Sequence, residues 1–195
     1  TDVVLLALFA IQHTIMARPG FKRWWTQIIP GAIERSTFVL VASLLLALLY
    51  WKWQPLPRVV WAVESTAGAN VMWGLFGLGW LMVLLSTFMI NHFDLFGLRQ
   101  VYLNLRQAEY SHLPFTTLWL YKLVRHPIML GFVIAFWATP VMSVGHLVFA
   151  IATTGYILIG LQFEEKDLVT YHGADYIEYR KRVPMIVPMW GKSKG

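Results

Sequence analysis

No cysteine occurs among the 195 residues. That absence excludes a disulfide framework, a thiolate metal centre and a cysteine nucleophile. Charge is also scarce. Asp, Glu, Lys and Arg make up 13% of the chain, about half the ~25% usual in a soluble domain. The six histidines are dispersed, with no HxxxH or HExxH pairing, so no metal site is expected. There is no P-loop, no dinucleotide fingerprint following a strand and no nucleophile elbow, which leaves nucleotide binding and serine hydrolysis without a sequence signature. Repeats and low-complexity tracts are missing as well.

What remains is apolar. The chain is 57% hydrophobic with a mean hydropathy of +0.56, the composition of a membrane protein. One spanning helix needs about 20 apolar residues, so the length accommodates about five. The runs fall at about 1–17, 36–53, 70–90, 127–142 and 145–163. The expected architecture is all-α: one domain over 1–195, an integral membrane bundle of about five transmembrane helices with a C-terminal tail over 164–195. Gly74, Gly77 and Gly79 in the third run suit close helix approach in lipid. Only Ser143-Val144-Gly145 separates the last two runs, which predicts a tight antiparallel hairpin. The chain begins at Thr1 without Met, and native residues are expected to precede it. The first run lacks a small-residue cleavage site and is expected to be a retained helix.

Positive charge concentrates in alternate connections. Arg18, Lys22, Arg23 and Arg35 follow the first run; Arg99, Arg106, Lys122 and Arg125 follow the third; Lys166, Arg180, Lys181, Arg182, Lys192 and Lys194 follow the fifth. Lys52 and Arg58, with Glu64, stand in the second connection, and the fourth has no Lys or Arg. This bias predicts an external N-terminus and a cytoplasmic C-terminus. Trp24, Trp25, Trp51, Trp53, Trp61 and Trp190 fall near the predicted interfaces, as an aromatic belt would. The net charge of +6 is then read as basic loops facing anionic headgroups, with no nucleic-acid partner.

Five polar constellations interrupt this pattern. Tyr121 and Arg125 stand four apart before His126-Pro127 and Gly131, and Pro127 suits a first helical turn. Such a helix start can receive an anion or simply be a basic membrane-boundary cap. Glu164-Glu165 leaves the fifth run, where a carboxylate is costly unless paired or functional. Tyr176, Tyr179, Arg182, Val183 and Pro184 follow on a segment that also reads as an amphipathic interfacial helix, with Glu178 and Arg182 as an i,i+4 pair. Asn91 to Gln100 places His92, Asp94, Arg99 and Gln100 among aromatics, more polar chemistry than a turn requires. Gln12-His13 lies inside the first run, and Glu34-Arg35 opens the second as an expected local ion pair.

The ordered set RHP at 125–127, EExxL at 164–168, Gly173 and YxxYxxRVP at 176–184 resembles the isoprenylcysteine carboxyl methyltransferase family of integral-membrane S-adenosylmethionine enzymes. The resemblance implies a cytoplasmic, cofactor-binding tail and a cofactor site lined by Leu113, Phe115, Tyr121, Arg125, His126, Pro127, Met129, Leu130, Gly131, Glu164, Leu168, Tyr176, Tyr179 and Arg182. Within it, Glu164 takes the cofactor-contacting position, and Glu165 and Asp167 are expected to be solvated. Family members carry an Arg four residues before that Glu, serving a substrate carboxylate; here the position is Gly160.

The segments at 12–22, 33–37 and 91–100 are similar to those of bacterial membrane methanethiol S-methyltransferases, which make dimethyl sulfide. That likeness implies a small volatile thiol as acceptor, reaching the enzyme through the lipid bilayer of the bacterial inner membrane. S-adenosyl-L-methionine is the implied donor and S-adenosylhomocysteine the product. Thiolate is the nucleophile, so the expected catalytic group is His92 as base, Asp94 orienting it and Arg99 favouring the anion, with His13 as the other candidate. A methyltransferase for a larger lipidic substrate, or a non-enzymatic NnrU-like membrane protein or transporter, remains an alternative.

Overall fold

A computed structural model describes residues 1–111 and 116–188. Leu113, Phe115, Trp190, Lys192 and Lys194 lie outside them. The chain divides into two compact units, residues 1–56 with 91–114 and residues 57–90 with 115–195.

The first unit is helical. Helix α1 (Asp2–Ala17) turns by 76° into the short α2 (Pro19–Trp25). Pro19 has no N–H to continue the ladder, and Arg18 before it is extended at φ −72°, ψ 140°, as expected next to proline. Helix α3 (Glu34–Lys52) runs back along α1, and Gln54 N donates to Asp2 at 2.9 Å, tying the other ends of the two helices together. Helices α5 (His92–Leu95) and α6 (Leu98–Leu105) form the 91–105 segment. Gly97, at φ +82°, lies against the start of α3, where a Cβ would meet Ser36 N at 2.6 Å. Ser36 Oγ donates to Gly97 O at 3.3 Å, and Arg35 Nε to Leu95 O at 2.7 Å.

The second unit is built on α4 (Thr66–Ile90), α7 (Pro127–Trp137) and α8 (Val144–His172), with α9 (Ala174–Arg182) following Gly173. Gly79 and Gly131 meet where α4 crosses α7: a Cβ on either would lie 2.7 Å from backbone of the other helix. Gly74 and Gly77 face open space, so one of the three predicted glycines makes a close approach. Trp137 Nε1 donates to Thr154 Oγ1 at 2.9 Å, a polar tie between α7 and α8 of the kind that joins helices in lipid.

Among the described residues, three helical segments, Gly31–Lys52, Thr66–Ile90 and Val144–His172, are long and apolar enough to cross a membrane, and the bent α1–α2 pair makes a fourth if taken as one span. The 127–142 segment departs from the predicted single helix. Helix α7 stops at Trp137, and residues 141–143 form strand β2, antiparallel to β1 (Val59–Ala62). Pro140 lacks the N–H a longer helix would need, and the β-branched Val59, Val60 and Val141 favour pairing. The expected 143–145 hairpin is therefore a ribbon-supported turn, in which Ser143 Oγ accepts from His146 N at 3.2 Å to cap α8. By chain direction, the ribbon lies at the end of the unit where α4 and α8 begin and α7 finishes.

Candidate active site

The opposite end of the second unit gathers Arg125, His126 and Tyr176 of the predicted cofactor residues around one buried carboxylate. That carboxylate is Glu165, not Glu164. Glu165 retains 6% of its exposure, against the expectation of a solvated side chain. Arg125 grips it with two contacts, Nε to Oε1 at 2.8 Å and Nη2 to Oε2 at 3.0 Å. His126 Nε2 lies 2.8 Å from Oε1, and Tyr176 Oη donates to the same oxygen at 2.8 Å. Arg180 Nε approaches Oε2 at 3.6 Å. A buried carboxylate is tolerable when opposite charge and directed donors replace its lost hydration, and all of these are present.

The same cluster fixes the tail. Arg125 Nη1 donates to the carbonyls of Arg180 at 3.0 Å and Val183 at 2.7 Å. The amides of Arg125 and His126 donate to Pro184 O at 2.9 Å and Met185 O at 3.1 Å. Tyr179 Oη donates to Tyr121 O at 2.6 Å. Helix α9 and the residues after it are thereby held on the 121–126 segment. Burial pushes the Tyr179 phenol up to about 12, against the pull of Arg125 and with help from the Glu165 charge. Tyr176 is raised too, by burial and then by its hydrogen bond to Glu165. Both phenols are therefore donors throughout the neutral range.

Glu164 is placed differently. Its side chain is 46% exposed, and Oε2 lies 3.7 Å from His126 Nδ1, beside the start of α7. Gly131 belongs to the helix crossing, and Arg182 is exposed with its Nε 3.6 Å from Glu178. Pro127 is buried at the first turn of α7. Sequence reasoning passed over Arg180 and Glu165. Glu165 extends the buried α8 stripe of Ile157 and Leu161 by one more step of four, a phase that burial in the structure reveals.

The first unit carries its own polar cluster. Asn91, at φ 132°, accepts from Asp94 N at 3.0 Å and caps α5. Asp94 Oδ1 receives Arg99 Nη1 at 3.0 Å, and Oδ2 receives Tyr110 Oη at 3.3 Å. Arg99 also donates to Ser111 O at 2.9 Å, and Gln100 Nε2 to Asp94 O at 3.1 Å. The His92 ring packs against Phe96, with centroids 4.7 Å apart. The Asp94 carboxylate thus braces Arg99. His13 stacks between Phe9 and Phe38, at 5.3 and 4.8 Å. Among the described residues no group of His, Asp or Glu could hold a metal ion.

Similarity to known proteins decides the family. The chain is 59% identical to the methanethiol S-methyltransferase of Mycobacterium tuberculosis, over 96% of this chain and 77% of that protein. It is 53% identical to the methanethiol S-methyltransferase of Crocosphaera subtropica, over 98% of this chain and 75% of that one. The chain belongs to the methanethiol S-methyltransferase family. A more distant likeness, 28% over 86% of the chain and 66% of the partner sequence, links the family to nurim of Sus scrofa. No family model matches, and no solved structure does.

Proposed function

We propose that this chain transfers a methyl group from S-adenosylmethionine to the sulfur of methanethiol, giving dimethyl sulfide, S-adenosylhomocysteine and a proton. The observation that carries the reading is identity above 50% with methanethiol S-methyltransferases along nearly the whole chain. Gly160, standing where isoprenylcysteine enzymes use an Arg, speaks against a carboxylate acceptor.

The residues present fit the donor. A zwitterionic amino acid joined to a ribose needs a carboxylate for its ammonium or hydroxyls and a positive dipole for its own carboxylate. Glu164, partly exposed beside His126 and the start of α7, supplies the first, and the helix N-terminus the second. When bound, the donor contributes a methyl group made electrophilic by its sulfonium. In this reading Glu164, Tyr121 and the first turn of α7 bind it, while Glu165, Arg125 and Tyr176 hold that frame rigid. Holding the methyl in line with an incoming sulfur is worth several orders of magnitude in rate. For the acceptor, His92 takes the thiol proton and Arg99, braced by Asp94, favours the thiolate; His13 is the alternative base.

We also infer five membrane passes with a cytoplasmic C-terminus. Helix α7 supplies only about 16 Å at ~1.5 Å per residue. Strand β2 (Val141–Ser143) adds about 10 Å, so that with the turn at 138–140 the pass approaches a ~30 Å hydrocarbon core. Pairing of β2 with β1 satisfies the facing backbone groups of the two strands.

The test is turnover by the full chain in bilayers, with S-adenosylmethionine and a panel of thiols, products read by gas chromatography. Dimethyl sulfide from methanethiol is expected; no methylated thiol at all would overturn the reading. In calorimetry, Glu164→Ala should weaken donor binding at least tenfold without lowering thermal stability, and unchanged affinity would remove Glu164 from the site.

A further inference from the structure

Helix α6 displays an apolar stripe that the methyl-transfer reading does not use. Leu98, Val101, Tyr102 and Leu105 stand at spacings of three and four and are all exposed, Leu105 at 78%. Three to four residues make one helical turn, so they form a single face. The other face is occupied: Arg99 and Gln100 are bound to Asp94, and Leu103 is half-buried. A stripe of this kind in an eight-residue helix has to meet something apolar.

The level at which α6 sits identifies the partner. Gly97, immediately before α6, is pinned to Ser36 at the first turn of α3. That turn is the end of a segment able to cross a membrane. Antiparallel packing puts the end of α1, and with it α2, at the same level. There α2 carries Phe21, Trp24 and Trp25 in mutual ring contact, with Trp24 51% exposed. Six cations, Arg18, Lys22, Arg23, Arg35, Arg99 and Arg106, share this end of the unit with three acids, Glu34, Asp94 and Glu109. Exposed tryptophan, surplus positive charge and an amphipathic stripe at the mouth of a span are the chemistry of a headgroup boundary.

We propose that α6 lies in the plane of the membrane as an interfacial helix, with Leu98, Val101, Tyr102 and Leu105 sunk into the headgroup–acyl boundary of an anionic bilayer. The inference rests on α3 being a membrane span. It does not depend on the reaction catalysed. Its consequence is that the 91–105 segment is held from both sides, by α3 through Ser36 and by lipid through the stripe.

The absence of cysteine makes the test direct. Single cysteines replacing Leu98, Val101, Tyr102 or Leu105 are labelled with a nitroxide in the full chain, in nanodiscs of phosphatidylcholine and phosphatidylglycerol holding one chain each. Asn104→Cys, on the flank of α6, and Leu44→Cys, exposed in the middle of α3, are the references. The ratio of oxygen to nickel-chelate accessibility should be several-fold higher at 101 and 105 than at 104, and highest at 44. Stripe labels as water-exposed as 104, with 44 in lipid, overturn the proposal and leave the span intact. Water exposure at 44 overturns the span reading, and the proposal with it. Stripe labels shielded from both reagents, with spin–spin broadening once two chains share a disc, would assign the face to a second copy and overturn the lipid assignment.

Discussion

Two clusters in this molecule are built on the same parts, a carboxylate held by an arginine and a tyrosine, and they do different things. Around Glu165 the Arg125 and Glu165 side chains are 10% and 8% exposed; around Asp94 the Arg99 and Asp94 side chains are 21% and 22% exposed. Glu165 gathers partners 11 to 40 residues away, and Arg125 extends the cluster to carbonyls 55 and 58 residues away. Asp94 gathers partners 5 and 16 residues away. The first is a tertiary junction that closes the tail on the 121–126 segment. The second is a local brace that shapes one loop. Burial decides the energetics: an ion pair in water is worth little, whereas breaking a dehydrated one strands its partner.

The contrast is broken most forcefully at Glu165. Glu165→Ala leaves the Arg125 guanidinium and the His126 and Tyr176 donors without their acceptor. A loss of about 3–5 kcal/mol is expected, read as a lower unfolding temperature and faster tryptic cleavage at Arg180 to Arg182. Asp94→Ala, at a pair about a fifth exposed, should cost less, about 1–2 kcal/mol. Equal losses at the two positions would show that burial does not separate the clusters.

The second effect belongs to the loop and should appear in rate instead of stability. His92→Ala is expected to depress turnover by about a hundredfold, the usual scale for a lost general base, with donor affinity and unfolding temperature nearly unchanged. The loss should shrink as pH rises, because more acceptor is already thiolate in solution. If His13→Ala abolishes turnover while His92→Ala does not, the base lies on α1.

The helices and the polar clusters were legible in the sequence because membrane-length apolar runs admit few alternatives. Helix α3 spans 34–52 where 36–53 was expected, and α4 spans 66–90 where 70–90 was expected. The ribbon at 59–62 and 141–143 was not legible, since Val-rich tracts serve helix and strand alike in an apolar chain. Nor was the choice between Glu164 and Glu165. Adjacent residues differ by 100° of helix phase, and from Tyr156 to Phe163 the single Gln162 is too little polarity to reveal which phase faces inward. The answer depended on Arg125 and Tyr176 arriving from distant parts of the chain.

The smallest of these effects tests the junction at its rim. Tyr179→Phe removes the hydroxyl that donates to Tyr121 O at 2.6 Å and leaves a carbonyl unsatisfied, for a loss of about 1 kcal/mol. Its second signature is in alkali. The ordinary tyrosine pKa is about 10, and burial raises Tyr179 to about 12. Its contribution is therefore complete below about pH 10. Above that the unfolded chain releases the proton before the folded one does, and stability falls until the folded phenol itself titrates near 12. In Tyr179→Phe that alkaline decline should be shallower, though not abolished, because Tyr121 and Tyr176 are raised as well, each first by burial. Parallel declines in the parent and the variant would mean that Tyr179 is no more buried than a surface phenol, and that the tail is held by Glu165 and Arg125 without it.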